Sequence, residues 1–221
     1  MEKPGALYLE ELKELDELAK KHSVNVVIGY NRRFYSSTIA AENIIEKDGG
    51  LESFNFEFTE WSHSIEGLIK PEEVFDNWFV ANSSHVVDLA FYLGGKPKEI
   101  ASYTSGSLSW HNSASVFCGS GVSEIGALFS YQANWAAPGR WGVEFLTKRH
   151  RLIMRPMEKL QLQKIGSIIA EFFDIDDEID KKYKPGLYRQ LTHFLNGDCD
   201  PFCKLNDQII NYDIYKKMAN Y

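Results

Sequence analysis

The run Ile125-Gly126-Ala127-Leu128-Phe129-Ser130-Tyr131-Gln132-Ala133-Asn134-Trp135 decides the fold of this 221-residue chain. Ile125, Ala127, Phe129, Tyr131, Ala133 and Trp135 share one parity, a period of two that only an extended strand turns into a single face. After a turn at Pro138-Gly139 the same rhythm resumes in Trp141, Val143 and Phe145, so the two segments read as a hairpin. Leu152, Met154, Leu160 and Leu162 carry the pattern further. Upstream, Phe54, Phe56 and Phe58 alternate with Asn55, Glu57 and Thr59, a half-buried strand by the same rule. Aromatics on both parities of residues 125–145 predict a sheet covered on both faces.

Helical segments flank this sheet. Leu9, Leu12, Leu15 and Ala19 recur at helical spacing across residues 7–22, with Glu10, Glu11, Lys13 and Glu14 outside. Val24 to Gly29 then reads as a short strand buried on both faces. A helix feeding such a strand is half of a βαβ unit, and the strand that should pair beside it is not in the sequence. Residues 1–30 are therefore expected to be mobile or to pair with a neighbouring chain. Ser36 or Ser37 caps a helix that runs to about Lys47 and stops at Gly49-Gly50. Residues 76–93 are helical up to Gly94-Gly95, and two more helices follow at 187–195 and 207–218, the last capped by Asn206. The class is α+β: a large open, mainly antiparallel (mixed) sheet with helices on one face, preceded by a helix–strand remnant.

Composition narrows the function. Hydrophobic content of 44% and charged content of 25% are ordinary globular values and exclude a disordered chain. A net charge of -7 lacks the basic footprint that nucleic acid requires. No apolar run approaches the ~20 residues needed to span a bilayer, and no signal peptide is visible. Cys118, Cys199 and Cys203 form neither a disulfide framework nor a metal-ligand spacing, which favours a reducing cytoplasm and no metal site. The acidic segment with Asp174, Asp176, Asp177, Glu178 and Asp180 fails the ligand order of a calcium loop and reads as solvated. There is no P-loop, no Ser-His-Asp arrangement and no G-x-G-x-x-G dinucleotide fingerprint.

Three motifs remain: Glu2-Lys3-Pro4, then Asn31-Arg32-Arg33-Phe34, then His85-Val86-Val87-Asp88-Leu89-Ala90-Phe91-Tyr92-Leu93-Gly94-Gly95. In this order, across nearly the whole chain, they resemble the Gfo/Idh/MocA family of NAD(P)-dependent sugar and polyol dehydrogenases, from its central "EKP" signature to its C-terminus. The resemblance implies that residues 1–30 are the remnant of a dinucleotide-binding (Rossmann) domain. Residues 31–221 would be the substrate-binding and oligomerisation domain, forming a homodimer or homotetramer through its sheet face. NAD or NADP would serve the full-length protein, with no tight dinucleotide binding by this chain. By the same resemblance Lys3 assists proton transfer from the substrate hydroxyl, and Glu2, Lys3 and Pro4 lie on the cofactor side. His85 matches the family's histidine, a general base near neutral pH. Where the family has an acid four residues before that histidine this chain has Ala81, leaving Asn82 as a polar substrate contact. Asp88 matches a later acid that orients the helix or the imidazole or joins the substrate contacts. Arg33, with Asn31, would touch substrate hydroxyls or a phosphate, and Arg32 would lie at the surface.

Each residue also has a plainer reading. Lys3 can be a solvated side chain near a terminus, His85 a core histidine, and Arg32-Arg33 a solvated or salt-bridged pair. Trp61, His63, Trp78, Trp110, His111 and Trp135 can line a sugar cleft or fill a core. Two functions are thus expected to compete. One is the substrate side of an oxidoreductase acting on a sugar, polyol or nucleotide sugar, inactive alone. The other is a stand-alone, non-catalytic carbohydrate-binding or dimerisation module.

Overall fold

In a computed structural model describing residues 1–221, the chain begins with α1 (Leu9–Lys21), β1 (Val27–Ile28), a 3₁₀ turn (Asn31–Phe34), α2 (Ser36–Lys47) and β2 (Ser53–Glu57). Two short helices, α3 (Ser62–Ile65) and α4 (Glu72–Asp76), precede a π turn (Phe79–Ser83) that runs directly into α5 (Ser84–Gly94). A meander follows: β3 (Pro97–Ser105), β4 (Val116–Ser123), β5 (Leu128–Asn134), β6 (Gly142–Leu146), β7 (His150–Met154), β8 (Gln161–Lys164) and β9 (Ala170–Phe172). The chain closes with α6 (Glu178–Lys182), α7 (Leu187–Leu195), β10 (Cys203–Lys204) and α8 (Leu205–Ala219).

Eight strands form one sheet in the order β3-β4-β5-β2-β6-β7-β8-β9, so the α+β class with a large mixed sheet stands. The expected 125–145 hairpin does not form. β2 inserts between β5 and β6, parallel to the first and antiparallel to the second. The reason lies in its phenylalanines. Phe54 stacks on Phe129 at 5.4 Å and Phe56 on Tyr131 at 5.5 Å, so β2 completes an aromatic layer that β5 and β6 alone would leave open. Helix α5 covers this layer, with Phe91 edge-on to Phe56 and Phe129.

Within a single chain only one of the two expected faces is covered. Phe129, Tyr131 and Ala133 point into the core, but Leu128, Ser130 and Gln132 are exposed on the opposite face, as is Tyr103 on β3. The helices lie on one face, and the other is open.

Residues 1–30 find a strand partner within the chain itself. β1 pairs antiparallel with β10, Val27 opposite Lys204 and Ile28 opposite Cys203. Leu12, Ile28 and Tyr30 are fully buried in the same core as the sheet aromatics. The strand is shorter than expected, because Val24 is more than half exposed and only Val27 and Ile28 pair. Two caps also shift. Tyr35 takes the N-cap of α2, and Lys204 that of α8, because the Asp207 carboxylate returns to the Lys204 backbone N–H and starts the helix ahead of Asn206.

Phe54 is 2% exposed at the centre of the aromatic layer, so Phe54→Ala is expected to cost about 3–5 kcal/mol in urea unfolding. Phe172→Ala on the exposed last strand is expected to stay within about 0.5 kcal/mol. Equal costs would show that the β2 layer does not anchor the sheet.

Candidate active site

The candidate site lies where β2 ends and β6 begins, against the first turn of α5. The Lys3 ammonium donates a 2.5 Å hydrogen bond to the Ala81 carbonyl, inside the π turn and one helical turn before His85. The wider i→i+5 geometry of such a turn opens the backbone and is found frequently at functional sites. His85 packs against Tyr30 edge-on at 5.9 Å and against Trp141 at 6.1 Å. Its ring is half-buried, and its Nδ1 is enclosed without a hydrogen-bond partner. The Arg32 guanidinium sits over the Trp141 ring at 4.7 Å, and Arg140 lies over the same ring at 4.7 Å. Just past β2, the Glu60 carboxylate accepts hydrogen bonds from Ser83 Oγ at 2.7 Å and Asn82 Nδ2 at 3.0 Å.

Burial shapes the chemistry of these groups. Desolvation, reinforced by Arg32, lowers the Lys3 pKa to about 8. Desolvation also drives the His85 pKa far below the histidine range, and the charges of Arg32, Lys3 and Lys184 push the same way. The imidazole is therefore neutral at physiological pH. Glu60 moves upward, again mainly through burial, although its hydrogen bonds oppose the change. A lysine lowered to about 8, a neutral histidine and a carboxyl raised in pKa within one site are the pattern of a chemically specialised centre.

The site unites Lys3, His85 and Asn82, but Asn82 bonds Glu60 rather than pointing a free amide at a ligand. Arg33 and Asp88, expected as substrate contacts, bond each other in the structure. Arg33 Nε reaches Asp88 Oδ2 at 2.8 Å and Arg33 Nη2 reaches Asp88 Oδ1 at 2.5 Å, a two-pronged pair with Asp88 almost wholly enclosed. Arg33 Nη1 also donates to the Pro201 carbonyl at 3.2 Å, and the pair lines a separate cavity of about 390 Å³ with Tyr92, Lys96 and Asp207. Asn31 donates to the Pro185 carbonyl at 3.0 Å, and a Cβ at Gly186 would lie 2.1 Å from the Asn31 carbonyl. Asn31 thus seats the α7 entrance against the 3₁₀ turn. Glu2 is exposed, and Pro4, after a cis bond, gives its carbonyl to Gln208 Nε2 at 2.9 Å.

Sequence reasoning missed Arg32, Glu60, Arg140 and Trp141. Successive residues of a 3₁₀ turn point about 120° apart, so only one of Arg32 and Arg33 can face the site, and the turn type decides which. Glu60 offers no motif signal. Of the six residues considered for a sugar cleft, Trp110 stacks on Trp135 at 5.6 Å, and His111 is fixed between the Ala114 carbonyl and the Tyr221 hydroxyl. Trp78 joins Trp110 at 5.7 Å, so these four belong to one aromatic cluster, and only Trp61, beneath Arg140, borders the site. The acidic segment is not simply solvated. Asp177 pairs with Lys159 and Lys181, and Asp180 accepts the Ser36 N–H and pairs with Arg189.

A dinucleotide does not fit these residues alone. Pyrophosphate needs a glycine turn between a strand and a free helix N-terminus. Here Gly29 after β1 leads into a 3₁₀ turn, and the first turn of α8 after β10 is occupied by the Asp207 carboxylate.

Comparison with solved structures places the fold. Over 99% of this chain and 68% of theirs, it superposes on UDP-N-acetylglucosamine 3-dehydrogenase GnnA from Acidithiobacillus ferrooxidans with a TM-score of 0.73 at 15% identity. The WlbA dehydrogenase from Bordetella pertussis, solved with NADH and UDP-GlcNAcA, gives 0.70 at 15% identity over 99% of this chain and 69% of that one. A super-repressor mutant of Gal80p from Saccharomyces cerevisiae gives 0.75 at 13% identity over 99% and 68%. At these identities the likeness is one of fold. No protein-family model matches the chain, and no curated protein matches it. No helix is long and apolar enough to cross a membrane.

If Arg33 and Asp88 serve the fold, Asp88→Asn leaves a buried guanidinium uncompensated and is expected to lose about 3–5 kcal/mol of stability in urea unfolding. An unchanged midpoint would return Asp88 to the ligand contacts. His85 yields a pH signature. Below 6.5, its ordinary value, the unfolded chain takes up a proton that folded His85 refuses, so its contribution to stability declines on acidification and is level above 6.5. His85→Asn is expected to flatten part of the stability loss between pH 6.5 and 5, read as the unfolding midpoint against pH. An identical slope in the variant would contradict the burial of a neutral imidazole.

Proposed function

We propose that this chain is the substrate-binding domain of an NAD(P)-dependent oxidoreductase of Gfo/Idh/MocA type, interconverting a secondary alcohol and a ketone on a sugar, polyol or nucleotide sugar. One observation carries the reading: the Lys3 ammonium bonds the Ala81 carbonyl, one turn ahead of His85, so the two motifs meet at one place. The nicotinamide would belong to a dinucleotide-binding domain that these residues do not include, with 1–30 as its last helix and strand and 31–221 as the substrate side. The open sheet face, with Leu128 and Tyr103 exposed, is the proposed surface for a homodimer or homotetramer. The cytoplasm is the proposed setting, in keeping with three free cysteines.

The chain's own residues divide the proton work. Oxidation of an alcohol requires its hydroxyl proton to leave as the carbon gives up hydride. Lys3 Nζ, with its pKa near 8, holds that proton in oxidation and returns it in reduction. His85 resists charging and so orients the hydroxyl by hydrogen bonding instead of keeping its proton. The missing acid at Ala81 is consistent with this division, since the Ala81 carbonyl steadies the Lys3 ammonium instead. Glu60, fixed by Ser83 and Asn82, completes the polar wall.

A second reading, a non-catalytic carbohydrate-binding or dimerisation module, draws support from the exposed sheet face and from the fold likeness to a Gal80p repressor. Cofactor reduction separates the two. With the chain joined to a dinucleotide-binding domain, Lys3→Met is expected to lower kcat by about 10²–10⁴. The oxidation rate is expected to climb with pH and level off above about 8, as Lys3 becomes the free amine. Full turnover by the Lys3→Met, His85→Asn double variant would remove both residues from the chemistry.

A further inference from the structure

Arg32 and Arg140 are not used by the proton chemistry, yet both lie over one indole beside it. Each guanidinium is 4.7 Å from the Trp141 ring, and Arg140 also lies 4.7 Å over Trp61. Stacking on an aromatic face holds a guanidinium in plane while leaving its edge N–H groups free. Those donors lack full partners. Arg32 Nε is buried with no acceptor. Arg140 Nη1 pairs with Glu60 Oε2 at 3.8 Å, an ionic contact too long for a hydrogen bond, while Ser83 and Asn82 donate to the other oxygen, Oε1. Lys3 adds a third cation nearby. Glu60 and Glu158 lie within electrostatic reach of Arg32, and Glu2 and Glu60 of Lys3, so carboxylates balance part of this charge.

We propose that Arg32 and Arg140 form an anion clamp and that the ligand of this site carries a carboxylate or phosphate group next to the hydroxyl offered to Lys3 and His85. This rests on the reading of those two residues as the reacting end. The guanidinium fork matches both anions with paired hydrogen bonds. A bound anion supplies the acceptor that Arg32 Nε lacks and offsets the mutual repulsion of the cations. A neutral sugar's hydroxyls can also accept from a guanidinium, but they bring no charge to offset the cations and no paired oxygens to match the fork.

Calorimetric titration of the full chain, without cofactor, tests this with glucose, glucuronate, glucose 6-phosphate, UDP-glucose and inorganic phosphate. Glucuronate or a phosphorylated sugar is expected to bind at least about tenfold more tightly than glucose, a difference of about 1.4 kcal/mol. The tighter of the two identifies carboxylate or phosphate as the recognised group. Arg32→Gln and Arg140→Gln are each expected to remove that preference, and Arg32→Lys to recover part of it. Arg151→Gln, on β7 and paired with Glu144, is expected to leave it unchanged. Arg140 is exposed, so Arg140→Gln reports even if Arg32→Gln fails to fold. Equal affinity for neutral and anionic sugars, no binding of any anion at millimolar concentration, or a preference indifferent to Arg140 would each overturn the proposal. Because no cofactor is present, arginine-dependent anion binding by a protein that never turns over would sink the oxidoreductase reading alone. Turnover of neutral sugars without arginine dependence would sink the clamp alone.

Discussion

The buried pair between Arg33 and Asp88 is the constraint on which the site depends. It ties the 3₁₀ turn after β1 to α5, one helical turn beyond His85. With Arg33 committed inward, its neighbour Arg32 is turned toward Trp141 by the geometry of the turn. Such a pair adds little net stability over a well-packed apolar substitute, and its strength is in specifying one arrangement. Here the arrangement specified is the orientation of two elements that each bring a charged or titratable group to the same place.

Around that joint, burial does most of the chemistry. Lys3, Arg32, Glu60 and His85 come from four separate stretches of chain, and none is fully solvated. A lysine is drawn toward neutrality and a histidine is kept uncharged by the same low-dielectric surroundings. The cations of the group also act on one another, since Arg32 disfavours the charged forms of both Lys3 and His85. The fold supplies this environment from the end of its central strand and the first turn of one helix, both packed into the core.

Much of this architecture is legible in the residues. The alternation at Phe54, Phe56 and Phe58 and at Phe129, Tyr131 and Ala133 marks β2 and β5, because a half-buried strand must repeat every two residues. Strand order is not legible, since adjacency in sequence favoured a β5–β6 pairing that the phenylalanines of β2 displace. β4 is obscured by glycine: at Gly121 a Cβ would lie 2.0 Å from the Glu99 carbonyl and against the Phe129 ring, so an apparent turn signal is a packing requirement. Lys3 and His85 were readable through their motifs. Arg32, Glu60 and Arg140 were not, because which of two adjacent arginines faces a site, or which carboxylate is buried, depends on tertiary context that no local pattern encodes.

The placement of β2 has a consequence for synthesis on the ribosome. Its two phenylalanines, Phe54 and Phe56, are made before their strand partners on β5 and β6, which lie in residues 128–146. At the ~5–20 residues per second of translation, that aromatic segment waits several seconds as an unpaired sticky edge on the nascent chain. The same insertion that centres the mature sheet therefore delays its completion until the segment holding β5 and β6 has left the exit tunnel.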